Sequence, residues 1–353
     1  MKNKKIAALF VSGMMMAAAL AGCAGSSASS TSSTAAPAGS APASTSAPSE
    51  QPAPQDKPIK IGVAMASVQS TAFQAMADAL EAKATELGAE AVVLSAEHSL
   101  ERQIDQVQDM ITQKCDAIII NSVDAEGIVP VVEEANRQGI KILAIDRKIA
   151  GGTVDYAIET DNLEAGRSAA KFFGEQANGE QLEVLLLISD PTATALRERQ
   201  DGFKQGLQDY PNLKLVAEPS IGTSTEKAYN ATIDAFKANP NIKVIFTSGD
   251  IWVAPIQSAL KELGKLAGPE DAAHVMIGSV DGEKACLDAI REGTQDVVIA
   301  QLFTDIANKC METAVGFAKG QTPQTTQELY PVIVVSRENI DTLGPDKLWG
   351  LAG

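Results

Sequence analysis

From residue 59 to residue 335 short apolar runs alternate with amphipathic stretches, and this alternation constrains the fold more than any other feature. The runs at 59–65, 91–94, 116–120, 140–145, 156–159, 182–188, 213–217, 243–247, 274–278, 296–301 and 330–335 have the length of strands. Several, such as IKILAI at 140–145, are apolar almost throughout, as suits strands buried on both faces of a parallel sheet. Between them, 71–87, 100–112, 128–138, 163–177, 194–209, 225–237, 254–263, 283–292 and 304–319 carry apolar residues at helical spacing. Phe73, Met76, Leu80, Ala84 and Leu87 form one such stripe, with Thr71 and Gln74 as a capping box and Gly88 just past the end. Strands alternating with helices make βαβ units, so the class is α/β. This many strands suit two sheets, one per lobe, although a TIM barrel uses the same alternation.

Ligands of open α/β sheets bind outside the carboxyl ends of the strands, so the residues that follow each run matter. The 140–145 run stops on Asp146 and Arg147. A carboxylate supplies acceptors only and a guanidinium five donors in a fixed fork, a pair matched to a ligand crowded with hydroxyls. Ser70 and Phe73 follow the first run and Asn121 the third. Asp190 and Arg197 follow 182–188, Asp250 and Trp252 follow 243–247, Asp281 follows 274–278, and Gln301 closes 296–301. Planar polar groups with aromatic neighbours suit a sugar ring. Each residue also fits a plainer role. Phe73 has core spacing, Trp252 suits an interface, Asp250 and Asp281 suit helix caps, and Arg197 with Glu198 and Arg199 suits a solvated helix face.

The formal net charge of −16, with no basic patch, disfavours nucleic acid as a partner. No dinucleotide, P-loop or nucleophile-elbow motif follows a strand, so nothing points to an enzyme or a cofactor. Two histidines, His98 and His274, leave little material for a metal site or a Ser–His–Asp triad. Cys115, Cys286 and Cys310 match no metal or redox spacing and read as buried free thiols. At the amino terminus Lys2, Lys4 and Lys5 precede an apolar run over 6–20, and Leu-Ala-Gly-Cys follows at 20–23. This is the pattern of a secretory signal, and the run is shorter than the ~20 residues that span a bilayer. Residues 24–57 are almost wholly Ser, Ala, Thr, Pro and Gly, the composition of a flexible tether.

Several motifs, in this order and spacing, resemble the ribose-binding-protein type of bacterial substrate-binding proteins, the type I receptors of sugar ABC transporters. They are IGVAMASVQSTAFQAM at 61–76, ILAIDRKI at 142–149, ETDNLEAGR at 159–167, ALRERQDGF at 195–203, IFTSGD at 245–250, GSVDGEK at 278–284 and VIAQ at 298–301. The resemblance implies two Rossmann-like lobes with parallel central sheets, joined by a three-segment hinge near 160–162, 301–303 and 327–330. It divides the chain into a signal peptide at 1–22, a lipidated linker at 23–57, one lobe of 58–161 with 302–328, and another of 162–301 with 329–353. Leu20 to Cys23 resembles the lipobox of bacterial lipoproteins, which implies diacylation of Cys23 and an anchor on the outer face of the cell membrane. Carried over by position, the ligand contacts are Ser70, Phe73, Asp146, Arg147, Arg197, Asp250, Asp281 and Gln301, with Trp252 supplying aromatic surface. Two departures reshape the expected pocket. Ser70-Thr71-Ala72-Phe73 stands where members often have Asn-Pro-Phe-Phe, and Gly249-Asp250 where they often have Asn-Asp. The implied protein is a monomer that clamps a monosaccharide or related polyhydroxylated ligand and delivers it to a membrane permease. The other use of the same clamp is a sensor feeding chemotaxis or a membrane kinase.

Overall fold

A computed structural model describes residues 57–352; the expected signal peptide, Cys23 and nearly all of the tether lie outside the described residues. The first part of the body runs β1 (Lys60–Met65), α1 (Thr71–Glu86), β2 (Glu90–Ser95), α2 (Leu100–Thr112), β3 (Ala117–Ile120), α3 (Val129–Arg137), β4 (Lys141–Ile145) and β5 (Tyr156–Thr160). A second part follows with α4 (Asn162–Gln176), β6 (Leu182–Ser189), α5 (Thr194–Gly206), β7 (Leu213–Ala217), β8 (Ser220–Gly222) and α6 (Thr225–Ala238). It continues through β9 (Ile242–Thr247), α7 (Val253–Glu262), β10 (Met276–Asp281), α8 (Lys284–Glu292) and β11 (Val297–Gln301). The chain then returns to the first part with α9 (Phe303–Ala318) and β12 (Gln327–Tyr330), and ends its strands in the second with β13 (Val332–Ser336).

Among the described residues these strands form two separate open sheets rather than a barrel. The first has the order β12-β5-β4-β3-β1-β2 with every pairing parallel. The second has the order β13-β11-β10-β9-β6-β7, with β8 also on β6 and only β13 antiparallel. Alternate residues of each strand enter opposite cores, which is why the runs read as continuously apolar. Ile61 and Val63 join Leu143 under α1 and α9, while Ala64 joins Ile118 and Ile142 under α2 and α3. Leu185 and Ile245 face one side of the second sheet, and Val184, Leu186 and Phe246 the other.

Local details correct three expectations. Ser70, rather than Thr71, caps α1, its Oγ accepting the Phe73 N–H at 3.2 Å, and Gly88 takes the left-handed turn (φ 72°) past the helix end. The expected strand at 274–278 lies further on, at Met276–Asp281, so Asp281 is its last residue. The single strand expected over 330–335 is two strands in different sheets, divided by Pro331, which has no N–H to continue a ladder. The thiols of Cys115, Cys286 and Cys310 are buried and unpaired.

One helix contact brings α5 close against α4. A Cβ on Gly166 of α4 would lie 2.0 Å from the Arg199 carbonyl oxygen, and one on Gly202 of α5 would lie 2.1 Å from that of Leu163. Glycine inside a helix costs about 1 kcal/mol relative to alanine, and here it lets two helix backbones touch. Gly166→Ala must force the helices apart. Overpacking of this kind costs about 1–3 kcal/mol, and urea unfolding of the variant is expected to show that loss. A midpoint equal to that of the parent would mean that the helices are not held at this separation.

Candidate functional site

A cavity of about 540 Å³ lies between the two lobes at the carboxyl ends of both sheets. Its first-lobe wall begins where β4 ends. Arg147 N–H bonds back to the Ile145 carbonyl at 2.7 Å, a tight three-residue turn that puts Asp146 at φ 62°. That conformation is rare for residues with a side chain, though Asp tolerates it better than most. Asn121, at the end of β3, holds the turn; its Nδ2 donates to the Ile145 carbonyl at 3.1 Å and to Asp146 Oδ2 at 3.2 Å. Burial pushes the Asp146 carboxyl up, and the guanidinium groups of Arg147 and Arg199 oppose that push. The Arg147 guanidinium lies 5.1 Å from the Phe73 ring centroid and donates to the Ser122 carbonyl at 3.1 Å. Phe73 in turn packs against Phe303, which packs against Trp349.

The second-lobe wall is built on Arg199, which is only 5% exposed. Its Nε donates to Asn162 Oδ1 at 2.8 Å, and its Nη1 donates at 2.9 Å to both the Ser248 carbonyl and Asp281 Oδ1. Gln301 Nε2 donates to the same Asp281 oxygen at 2.7 Å, while the buried Gln301 Oε1 has no partner among the described residues. An acceptor stranded this way on a cavity wall has an unmet demand for a ligand hydroxyl. At the mouth Lys148 Nζ lies 3.3 Å from Glu159 and 3.1 Å from Glu198, so one cation joins both lobes.

Six of the expected site residues therefore meet on one cavity: Ser70, Phe73, Asp146, Arg147, Asp281 and Gln301. Three do not. Arg197 is exposed and bonds the Pro191 carbonyl at 3.2 Å, and Arg199 stands in the wall instead. The reason is helical geometry. Two residues at about 100° each turn Arg197 to the opposite side of α5. Trp252 is buried in the core of the second lobe with Leu185 and Ile245, not on the cavity. Asp250 lies behind the wall, where it accepts the Gly282 and Glu283 N–H groups at 2.8 and 2.7 Å and the Ser279 hydroxyl. Burial and the neighbouring Asp281 carboxylate push its carboxyl up, against those three bonds. The sequence placed Arg199 only on a solvated helix face with Arg197 and Glu198, whereas it shares the buried face of α5 with Gln200 and Phe203. A charged residue on an apolar helix face was the available signal. Lys148, Glu159, Glu283 and Phe303 also line the cavity, and their signal was weaker: Glu159 lies within β5 and the others among ordinary loop or helix residues.

Two α/β lobes with a polar, aromatic-edged cavity between the carboxyl ends of their sheets define a two-lobed ligand-binding protein. Residues 61–322 match the model of the periplasmic binding protein domain, and the chain belongs to that family of binding proteins, which are not enzymes. It is 26% identical to the ribose import binding protein of Bacillus subtilis over 76% of this chain and 85% of that one. To the D-xylose-binding periplasmic protein of Escherichia coli it is 30% identical over 77% of this chain and 82% of that one. A solved periplasmic solute-binding protein of Actinobacillus succinogenes with bound D-allose matches at a TM-score of 0.72 and 25% identity, covering 81% of this chain and all (100%) of that one.

Asp250 should act as a fold residue. Asp250→Ala strands two backbone N–H groups and a hydroxyl, at about 1–3 kcal/mol for each buried group left unmatched. Asp250→Asn keeps an acceptor for the backbone pair and is expected to cost clearly less in urea unfolding. Equal losses for the two variants would contradict this account.

Proposed function

We propose that the protein binds a monosaccharide or closely related polyhydroxylated ligand in this cleft and hands it to an ABC transporter permease. The observation that carries the reading is that each lobe presents a carboxylate with a guanidinium to one cavity, Asp146 with Arg147 and Asp281 with Arg199. Acceptors and donors side by side match hydroxyls, which both donate and accept, and Phe73 offers a face for ring C–H groups. Relatives named for import of ribose and binding of D-xylose support this choice, and support transport over sensing.

In this reading the lobes are 58–161 with 302–328 and 162–301 with 329–353, and they close about the chain crossings near 160–162, 301–303 and 327–330. Closure expels water, which strengthens the bonds inside. The Lys148–Glu198 pair, which spans the lobes, favours the closed form. Cys23 carries the lipid anchor that keeps a monomeric body outside the cell membrane within reach of its permease. A micromolar dissociation constant needs about 8 kcal/mol. Hydrogen bonds to charged groups contribute about 1.5–3 kcal/mol each, so four or five suffice after ordering costs.

Thermal unfolding against D-ribose, D-xylose, D-allose and myo-inositol tests the reading. A ligand at a hundred times its dissociation constant adds about 2.7 kcal/mol, a rise of several degrees at roughly 2–4 °C per kcal/mol. The rise is expected to vanish in Asp146→Ala and Arg199→Ala and to persist in Arg197→Ala. A flat response of the parent protein across the panel would overturn the sugar reading.

A further inference from the structure

Glu283 stands on the second-lobe wall of the cavity, two residues past Asp281, as the N-cap residue of α8. Its backbone is clamped. Its N–H donates to the buried Asp250 carboxylate at 2.7 Å, and a Cβ on Gly350 would lie only 3.1 Å from the Glu283 carbonyl carbon. The side chain is half-buried, and its carboxylate has no hydrogen bond or ion pair to any described residue. The cations of the cleft are already matched with acids: Arg199 with Asp281, Lys148 with Glu159, and Arg147 beside Asp146. Of the acids that line the cavity Glu283 is the one with no cation beside it, while Glu198 at the mouth shares Lys148 with Glu159. Burial, with Asp281 beside it, pushes its carboxyl above the ordinary range, as expected of an acid without a donor.

We propose that Glu283 is a specificity-determining residue, an unpaired acid that accepts a hydroxyl of a neutral ligand and excludes sugar acids and sugar phosphates from the cleft. The inference rests on the sugar-binding reading above. A carboxylate or phosphate on the ligand would lie beside an uncompensated negative charge on a half-buried wall, with each cleft cation already shared with an acid. Like-charge contact in such a site is strongly unfavourable. A neutral hydroxyl meets the same carboxylate as a donor and gains a charge-assisted hydrogen bond.

Calorimetric titration of the full chain with the neutral sugar giving the largest thermal rise, with D-glucuronate and with D-ribose 5-phosphate tests this. The parent protein is expected to prefer the neutral sugar by about a hundredfold or more. Glu283→Gln keeps an acceptor and a matching shape, so neutral binding should stay within about tenfold while the preference narrows at least about tenfold. Glu283→Ala serves as the second variant, and it should narrow the same preference while also weakening the neutral sugar. A preference unchanged in both variants overturns the proposal and leaves sugar binding standing. So does a parent protein that binds either anionic ligand as tightly as the neutral one. Failure of every neutral sugar to bind overturns the sugar reading and this proposal with it.

Discussion

The second lobe is arranged around one buried guanidinium. Taking a charge out of water costs several kcal/mol unless it is paired and hydrogen-bonded, so the surroundings of Arg199 are not free to vary. Its partners come from four places in the chain: Asn162 at the first crossing, Ser248 after β9, Asp281 at the end of β10 and, through Asp281, Gln301 at the end of β11. Each sits at a strand end or a crossing. A group that lines the cavity is thus also the group that ties the strand ends to the place where the chain passes between lobes. The glycine contact between α4 and α5 lies at the same place, since the backbone carbonyl that meets Gly166 is that of Arg199 itself.

The first lobe answers with different means. A strained turn places Asp146, Asn121 keeps it there, and Arg147 rests over Phe73. Behind Phe73 the aromatic series continues through Phe303, just past the second crossing, to Trp349 near the carboxyl terminus. Trp349 packs with the first-lobe core although its neighbour Leu348 packs with the second. The segment after β13 therefore touches both bodies beside the cleft.

Much of the site was legible because strand ends announce themselves. An apolar run that stops on Asp-Arg, or closes on Gln301, marks a residue at the carboxyl edge of a sheet, where ligands bind. Helical residues were harder. Arg197 and Arg199 are identical in type and two apart, and only the rotation of α5 against α4 decides which one is buried. Trp252 and Asp250 follow a strand as a ligand-binding residue would, yet one fills the core and the other closes the turn from β10 to α8. Their chemistry suited both roles, and packing chose.

By itself the amino-acid order determined the α/β class, the parallel sheets and most of the strand-end polar groups, because these depend on local periodicity and on where an apolar run stops. Only the tertiary structure decided which sheet each late strand joins, which arginine faces the cavity and which acid there is left without a partner. Those outcomes depend on contacts between residues far apart in the chain. Arg199 meets Asp281 and Asp250 meets Glu283 only once the second lobe has folded, and Lys148 meets Glu198 only across the two lobes.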